Sequence, residues 1–239
     1  MTTSLGNIDT PERTRADHPV QARPAAPPRA VRKYAVELIG TFFLVFTVGV
    51  SVIAGSALAP LAIGAVLMVM IYAGGHVSGG HYNPAVTMAA LVRGRIGPRD
   101  AAGYWVAQLV AGLVAAAAVG GVLHRAQARA LPLSGHTLFA ALLVELLFTF
   151  ALCYVVLNVA TSRDTQDNSF YGLAIGFTVV AGAIAVGGIS GAAFNPAVTL
   201  GATTLGLFAW STLWLYAVVQ LAGGAAAGLA FLALNPGDK

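Results

Sequence analysis

The residues with the clearest chemical potential in this chain stand in two copies of one short pattern. They are Gly79-Gly80-His81-Tyr82-Asn83-Pro84-Ala85-Val86-Thr87 and Gly191-Ala192-Ala193-Phe194-Asn195-Pro196-Ala197-Val198-Thr199. Asparagine is a strong helix N-cap. Proline at the first helical position gives up an N–H that has no intrahelical partner there. Each Asn-Pro-Ala therefore starts a helix abruptly. The apolar run after Asn83 lasts only to Arg93, about 15 Å at helical rise and half the hydrocarbon thickness of a bilayer. An abrupt start followed by half a span predicts a helix that begins inside the membrane.

Such a helix end presents about half a positive elementary charge and unpaired N–H donors. Two such ends, entering from opposite faces and meeting at mid-depth, repel cations and bind the oxygen of a small neutral molecule. The Asn83 and Asn195 side chains are expected to cap their own helices through oxygen and to aim N–H groups into a lumen. The Gly-rich stretches before the boxes, about 74–82 and 187–194, read as unwound chain. Non-helical backbone is tolerated at that depth only where it is packed or lines a wet cavity. Its carbonyls are expected to supply the acceptors.

The elements that must position these motifs follow from composition. The chain has 239 residues, 57% hydrophobic and 9% charged. A soluble domain carries about 25% charged residues, so this is a membrane protein. One cysteine, Cys153, leaves no intrachain disulfide or Cys-based zinc site and reads as a small core residue. Residues 1–32 contain Pro11, Pro19, Pro24, Pro27 and Pro28 without any apolar period, and read as a disordered tail. Six apolar runs follow, at about 34–57, 60–77, 101–123, 137–160, 171–189 and 210–234. Each is long enough to cross a bilayer with tilt or local thinning.

The halves repeat. Leu61-Ala62-Ile63-Gly64 recurs as Leu173-Ala174-Ile175-Gly176, Asn83 as Asn195 and Gln108 as Gln220, each at an offset of 112. Glu37-Leu-Ile-Gly-Thr-Phe recurs as Glu145-Leu-Leu-Phe-Thr-Phe, at an offset of 108. Each repeat has three spans, an odd number, so the second enters from the opposite face. Inverted repeats of this kind place their sites at the bilayer midplane. Eleven Lys and Arg lie on the amino-terminal side against two, Arg125 and Arg129, on the other. The positive-inside rule then predicts both termini in the cytoplasm.

Together the paired boxes, the six spans and the Glu37-x-x-Gly-Thr-Phe start resemble the aquaporin, or major intrinsic protein, family over about residues 33–234. The resemblance implies an all-α membrane protein of six transmembrane helices and two re-entrant half-helices in an inverted repeat. Repeat one is about 33–123 and repeat two about 137–234, with 235–239 as a short tail. It also implies a homotetramer with one pore per protomer, a bilayer environment such as the plasma membrane, no cofactor and no nucleic-acid partner. The family itself illustrates selectivity by pore diameter, lining donors and electrostatic barriers. Its second box normally continues with Arg, where this chain has Val198. The other three constriction positions map to Ile63, Ala183 and Ala192. Water-selective members place bulky aromatic and His residues at the first two. Glycerol-type relatives place Asp after the Arg, where this chain has Thr199. The expected ring is wide, apolar and uncharged. It suits water together with small neutral solutes such as glycerol, urea, ammonia, hydrogen peroxide or dissolved gas.

Glu37 and Glu145 are the acids deep in the spans. An intramembrane acid is a functional candidate by default, here a proton relay. The family parallel suggests that both instead brace the half-helix loops. His76 and His81, with Gly79, Gly80 and Gly191, are expected to line the pore or brace the loops. Gating through either His is the alternative, and a spacing of five without further ligands disfavours a metal. Two other classes of function remain open from sequence. An ion-coupled transporter would also use broken helices and inverted repeats, and a closed, non-conducting membrane scaffold would have a plugged lumen.

Overall fold

The computed structural model describes residues 29–123 and 130–238. Those residues form eight α-helices and one short 3-10 turn, with no strand. The helices are α1 (Arg29–Ile53), α2 (Ala59–Ser78), α3 (Pro84–Val92), α4 (Pro98–Val122), α5 (Gly135–Thr161), α6 (Tyr171–Ser190), α7 (Pro196–Thr204) and α8 (Trp210–Leu234). The 3-10 turn is Arg163–Thr165, between α5 and α6. Six of the helices are long and apolar enough to cross a membrane. The other two, α3 and α7, have nine residues each, about 14 Å at helical rise. Exposed apolar side chains such as Val106, Ile184 and Leu229 clothe the outside, as lipid-facing surface requires.

The first helix departs from expectation at both ends. It starts at Arg29, inside the stretch read as a tail, and stops at Ile53 rather than about 57, where the chain turns at Gly55 with φ 65°. The remainder of that tail, together with Arg125 and Arg129, lies outside the described residues.

The repeats interlock. Helix α1 packs on α4 as α5 packs on α8, and α2 crosses α6 at the centre. Half-helix α3 of repeat one packs mainly against α8 of repeat two, and α7 of repeat two mainly against α4 of repeat one. Every described Lys and Arg lies on one face, at the start of α1, after α3, at the start of α4 and after α5. That face also holds Asp100 and Asp238: Lys33 Nζ pairs with Asp100 at 2.9 Å, and Arg93 Nη2 with Asp238 at 2.9 Å. We call it the termini face and the opposite one the far face.

Small residues set how closely the half-helices dock. A Cβ at Gly112 of α4 would lie 2.7 Å from the Ala197 carbonyl oxygen, and one at Gly224 of α8 would overlap the Ala85 carbonyl. In an open helix, alanine would be favoured over glycine by about 1 kcal/mol. Here overpacking against backbone, at about 1–3 kcal/mol, opposes it and wins because a carbonyl cannot rotate away. Gly112→Ala and Gly224→Ala are therefore expected to lower the detergent melting temperature. Gly120→Ala, with open space at its Cβ, should leave it level or raise it. A melting curve for Gly112→Ala at or above that of the parent would refute the packing argument.

Candidate functional site where the half-helices meet

The unwound stretches are shorter than the glycine content suggests. Helix α2 continues to Ser78 and α6 to Ser190, so within the expected stretches only Gly79–Tyr82 and Gly191–Phe194 are non-helical. Gly74, Gly75, Gly187 and Gly188 stay in helices, within the unbroken hydrogen-bonded ladders of α2 and α6. The break comes where glycine takes the left-handed cap. Gly79 has φ 91° and its N–H reaches the Gly75 carbonyl, and Gly191 has φ 86° with its N–H on Gly187.

Beyond each cap the chain stays strained. Tyr82, Ala192 and Phe194 hold φ of 49°, 51° and 48°, a conformation costing a non-glycine residue about 1–3 kcal/mol. A buried carboxylate holds each stretch in that shape. Glu37 Oε1 accepts from Ser78 Oγ at 2.7 Å and the His81 N–H at 2.9 Å, while Oε2 accepts from the Tyr82 N–H at 2.6 Å and Gln108 Nε2 at 2.9 Å. Glu145 repeats the set with Ser190 Oγ at 2.7 Å, the Ala193 N–H at 2.9 Å, the Phe194 N–H at 2.8 Å and Gln220 Nε2 at 2.8 Å. Four donors surround each carboxyl group, two on each oxygen.

The two boxes then bind each other. Asn83 Oδ1 accepts the Ala85 N–H at 2.8 Å, and Asn195 Oδ1 accepts the Ala197 N–H at 2.9 Å. The amide ends cross over: Asn83 Nδ2 donates to the Phe194 carbonyl, and Asn195 Nδ2 to the Tyr82 carbonyl, both at 2.9 Å. An amide has two N–H bonds. One of each pair is spent on the opposite loop, so one is left for the lumen rather than two. The Tyr82 and Phe194 carbonyls are likewise already engaged as acceptors. Pro84 and Pro196 sit at the first position of helices whose amino-terminal ends meet head to head.

A cavity of about 340 Å³ opens from this meeting point toward the far face. Both Asn83 and Asn195 line it, and so do Ile63, Ala183, Ala192 and Val198. The four residues mapped to the constriction thus share one cavity, and none carries a charge. Ala193 and Gly191 line it as well. A second cavity of about 670 Å³ opens on the termini face, lined by His76, Gly79, Gly80 and His81 together with Lys33 and Arg95. Ile175 lines both. The halves differ most at His81, whose Nδ1 lies 3.0 Å from Thr87 Oγ1 and whose ring meets Tyr104 edge-on. Its counterpart at the 112 offset is Ala193, and that of His76 is Gly188.

Three residue pairs in this network have roles that the motifs alone do not show. Ser78 and Ser190 bridge the carboxylates to the loops, Thr87 and Thr199 bond the glutamines, and Tyr104 and Tyr216 donate to the Ser78 and Ser190 carbonyls at 2.6 and 2.8 Å. All three pairs keep the offset of 112, which was the signal that could have found them.

Replacing Glu145 by Gln turns one acceptor into a donor and leaves a loop N–H unpaired, at a cost of about 1–3 kcal/mol. Glu145→Gln and Glu37→Gln are each expected to lower yield and melting temperature without a new pH dependence of flux. A folded Glu→Gln variant with parental melting and a shifted pH profile would favour a proton relay.

Comparison with known proteins agrees with this geometry. Residues 25–231 match the family model described as Major intrinsic protein. The glycerol uptake facilitator protein-like 6 of Lactiplantibacillus plantarum is 41% identical over 203 residues, covering 81% of this chain and 93% of that protein. Aquaporin NIP1-4 of Oryza sativa subsp. japonica is 36% identical over 215 residues, covering 85% of this chain and 77% of that protein. The solved aquaglyceroporin of Plasmodium falciparum superposes with a TM-score of 0.71 at 23% identity, covering 84% of this chain and 95% of that one. With its two crossed asparagines at the junction of inverted half-helices, this chain belongs to the major intrinsic protein family.

Proposed function

We propose that this chain conducts glycerol- and urea-sized neutral solutes alongside water, through a ring formed by Ile63, Ala183, Ala192 and Val198. Members of the family are channels rather than enzymes, and the chain is a passive channel for water and small neutral solutes. That class takes precedence over an ion-coupled transporter or a closed scaffold. The finer reading rests on one observation: all four ring residues line the same cavity as both asparagines, and the position where the family carries Arg is Val198. A valine there offers no donor to strip water from a solute and no charge to oppose a cation. Cation exclusion then falls to the two helix ends, each about half a positive charge, and to the remaining Asn83 and Asn195 N–H groups. The mostly apolar wall suits solutes with a hydrocarbon face, and the name of the Lactiplantibacillus plantarum relative points the same way.

Under this reading Glu37 and Glu145 brace the loops, and His76, His81, Gly79 and Gly80 line the termini-side path while Gly191 lines the far side. The protein sits in the plasma membrane as a homotetramer with the termini face cytoplasmic. The Lys and Arg on that face support this orientation.

Stopped-flow shrinkage of proteoliposomes tests the solute range. Water, glycerol and urea fluxes are all expected above those of empty vesicles. Val198→Arg should lower glycerol and urea flux several-fold while sparing most of the water flux. Water flux with no glycerol or urea flux in the parent would refute the wide-ring reading.

A further inference from the structure

After α8 the chain turns back behind the wall of the termini-side mouth. The Asp238 N–H reaches the Asn235 carbonyl at 3.0 Å, and the Asp238 carboxylate lands among three arginines. Its Oδ1 lies 2.9 Å from Arg93 Nη2, 3.4 Å from Arg95 Nη2 and 3.6 Å from Arg163 Nε. Its Oδ2 accepts the Arg163 backbone N–H at 2.9 Å. The Asp238 carbonyl also accepts from Arg93 Nη1 at 2.8 Å.

These contacts join three separate parts of the fold. Arg93 caps the end of α3, and its side chain is 0% exposed. It lies 4.0 Å over the Phe231 ring of α8, and its Nε donates to Thr161 Oγ1 at the end of α5. Arg95 donates to the Thr161 carbonyl at 2.9 Å. Arg163 opens the 3-10 turn that leads to α6. The termini-side vestibule is walled by Arg95, Thr161, Ser162, Thr165 and Asn168, so this tie stands directly behind that wall.

We infer that Asp238 is a positioning residue for permeation: it pins the α5–α6 connection to the exit turn of α3 and thereby holds the termini-side vestibule open. Without the carboxylate, a buried guanidinium keeps its charge with no counter-charge, a strongly unfavourable arrangement. The three guanidinium groups then repel at short range. Arg95 and Arg163 have the exposure to swing away, and the loop that carries Arg163 loses its backbone anchor. That loop already walls the vestibule, so its release narrows the mouth. Hydrogen bonding from the Arg163 N–H leads the effects that bring the Asp238 carboxyl down to about 2, so the tie keeps its charge across ordinary working pH.

The inference rests on the channel reading alone and does not depend on the solute range. Its test therefore uses water flux, which stays readable if glycerol and urea fail to pass. Stopped-flow water permeability per inserted protomer would be measured for the parent, Asp238→Asn, Asp238→Glu and Asp164→Asn, with hydrogen exchange of the 162–168 amides followed in parallel. Asp238→Asn should exchange these amides about tenfold faster and lose water permeability several-fold. Asp238→Glu should recover most of that loss. Asp164→Asn, an acid on the same turn outside the tie, should match the parent. Should Asp238→Asn fail to fold, Arg95→Gln, which leaves the Arg93 pair intact, is expected to show a partial loss of permeability. Faster exchange with parental permeability in a folded Asp238→Asn, or parental permeability in Arg95→Gln, would overturn the inference and leave the tie with a purely structural role.

Discussion

Non-helical backbone at the middle of an apolar slab must have its polar groups satisfied by the protein, because lipid offers no partners. The rest of the structure depends on how this chain meets that constraint at Gly79–Tyr82 and Gly191–Phe194. Two buried carboxylates collect the loop N–H groups and a serine hydroxyl on each side. Two asparagines then take a carbonyl from the opposite loop. Neither loop is complete alone, since the acceptor for each asparagine belongs to the other repeat. This mutual dependence keeps the strained residues Tyr82, Ala192 and Phe194 in place, and it brings the two positive helix ends together despite their repulsion.

The same arrangement leaves a passage whose two halves differ chemically although the scaffold is nearly two-fold. The network of Glu, Ser, Gln, Thr and Tyr is duplicated almost bond for bond. The lining is not. Toward the far face the wall is built largely of Ile, Leu, Val and Ala side chains, with the asparagines at its base. Toward the termini face it carries His76, His81, Lys33, Arg95 and the hydroxyls of the α5–α6 connection. The cavity that holds the four mapped ring residues is thus largely apolar. The approach on the other side is wetter and more basic.

Glycine serves this architecture in two distinct ways. At Gly79 and Gly191 it supplies the left-handed cap that ends a helix inside the membrane. At Gly112 and Gly224 it removes a side chain so that a long helix can touch the first turn of a half-helix. The first role fixes where the chain breaks, and the second fixes how far the broken ends travel toward each other.

Much of this was legible in the order of the residues. The Asn-Pro-Ala boxes specify helix starts by local capping chemistry, the apolar runs specify spans by length, and the 112-residue register specifies the repeat. These are local or periodic properties, and they need no knowledge of what lies across the fold. Partnerships between distant residues could not be read that way. Glycine content overstated the unwound stretches, since the helix ladder runs unbroken through 74–78 and 187–190. Only the folded chain showed that each asparagine donates to the opposite loop, because that bond needs Asn83 and Phe194, 111 positions apart, to meet. Only the folded chain set Asp238 against Arg93, 145 positions away. Sequence determined which short segments could start, stop and cross. Tertiary packing decided which of them complete one another, because a buried polar group takes whatever partner the fold brings within reach.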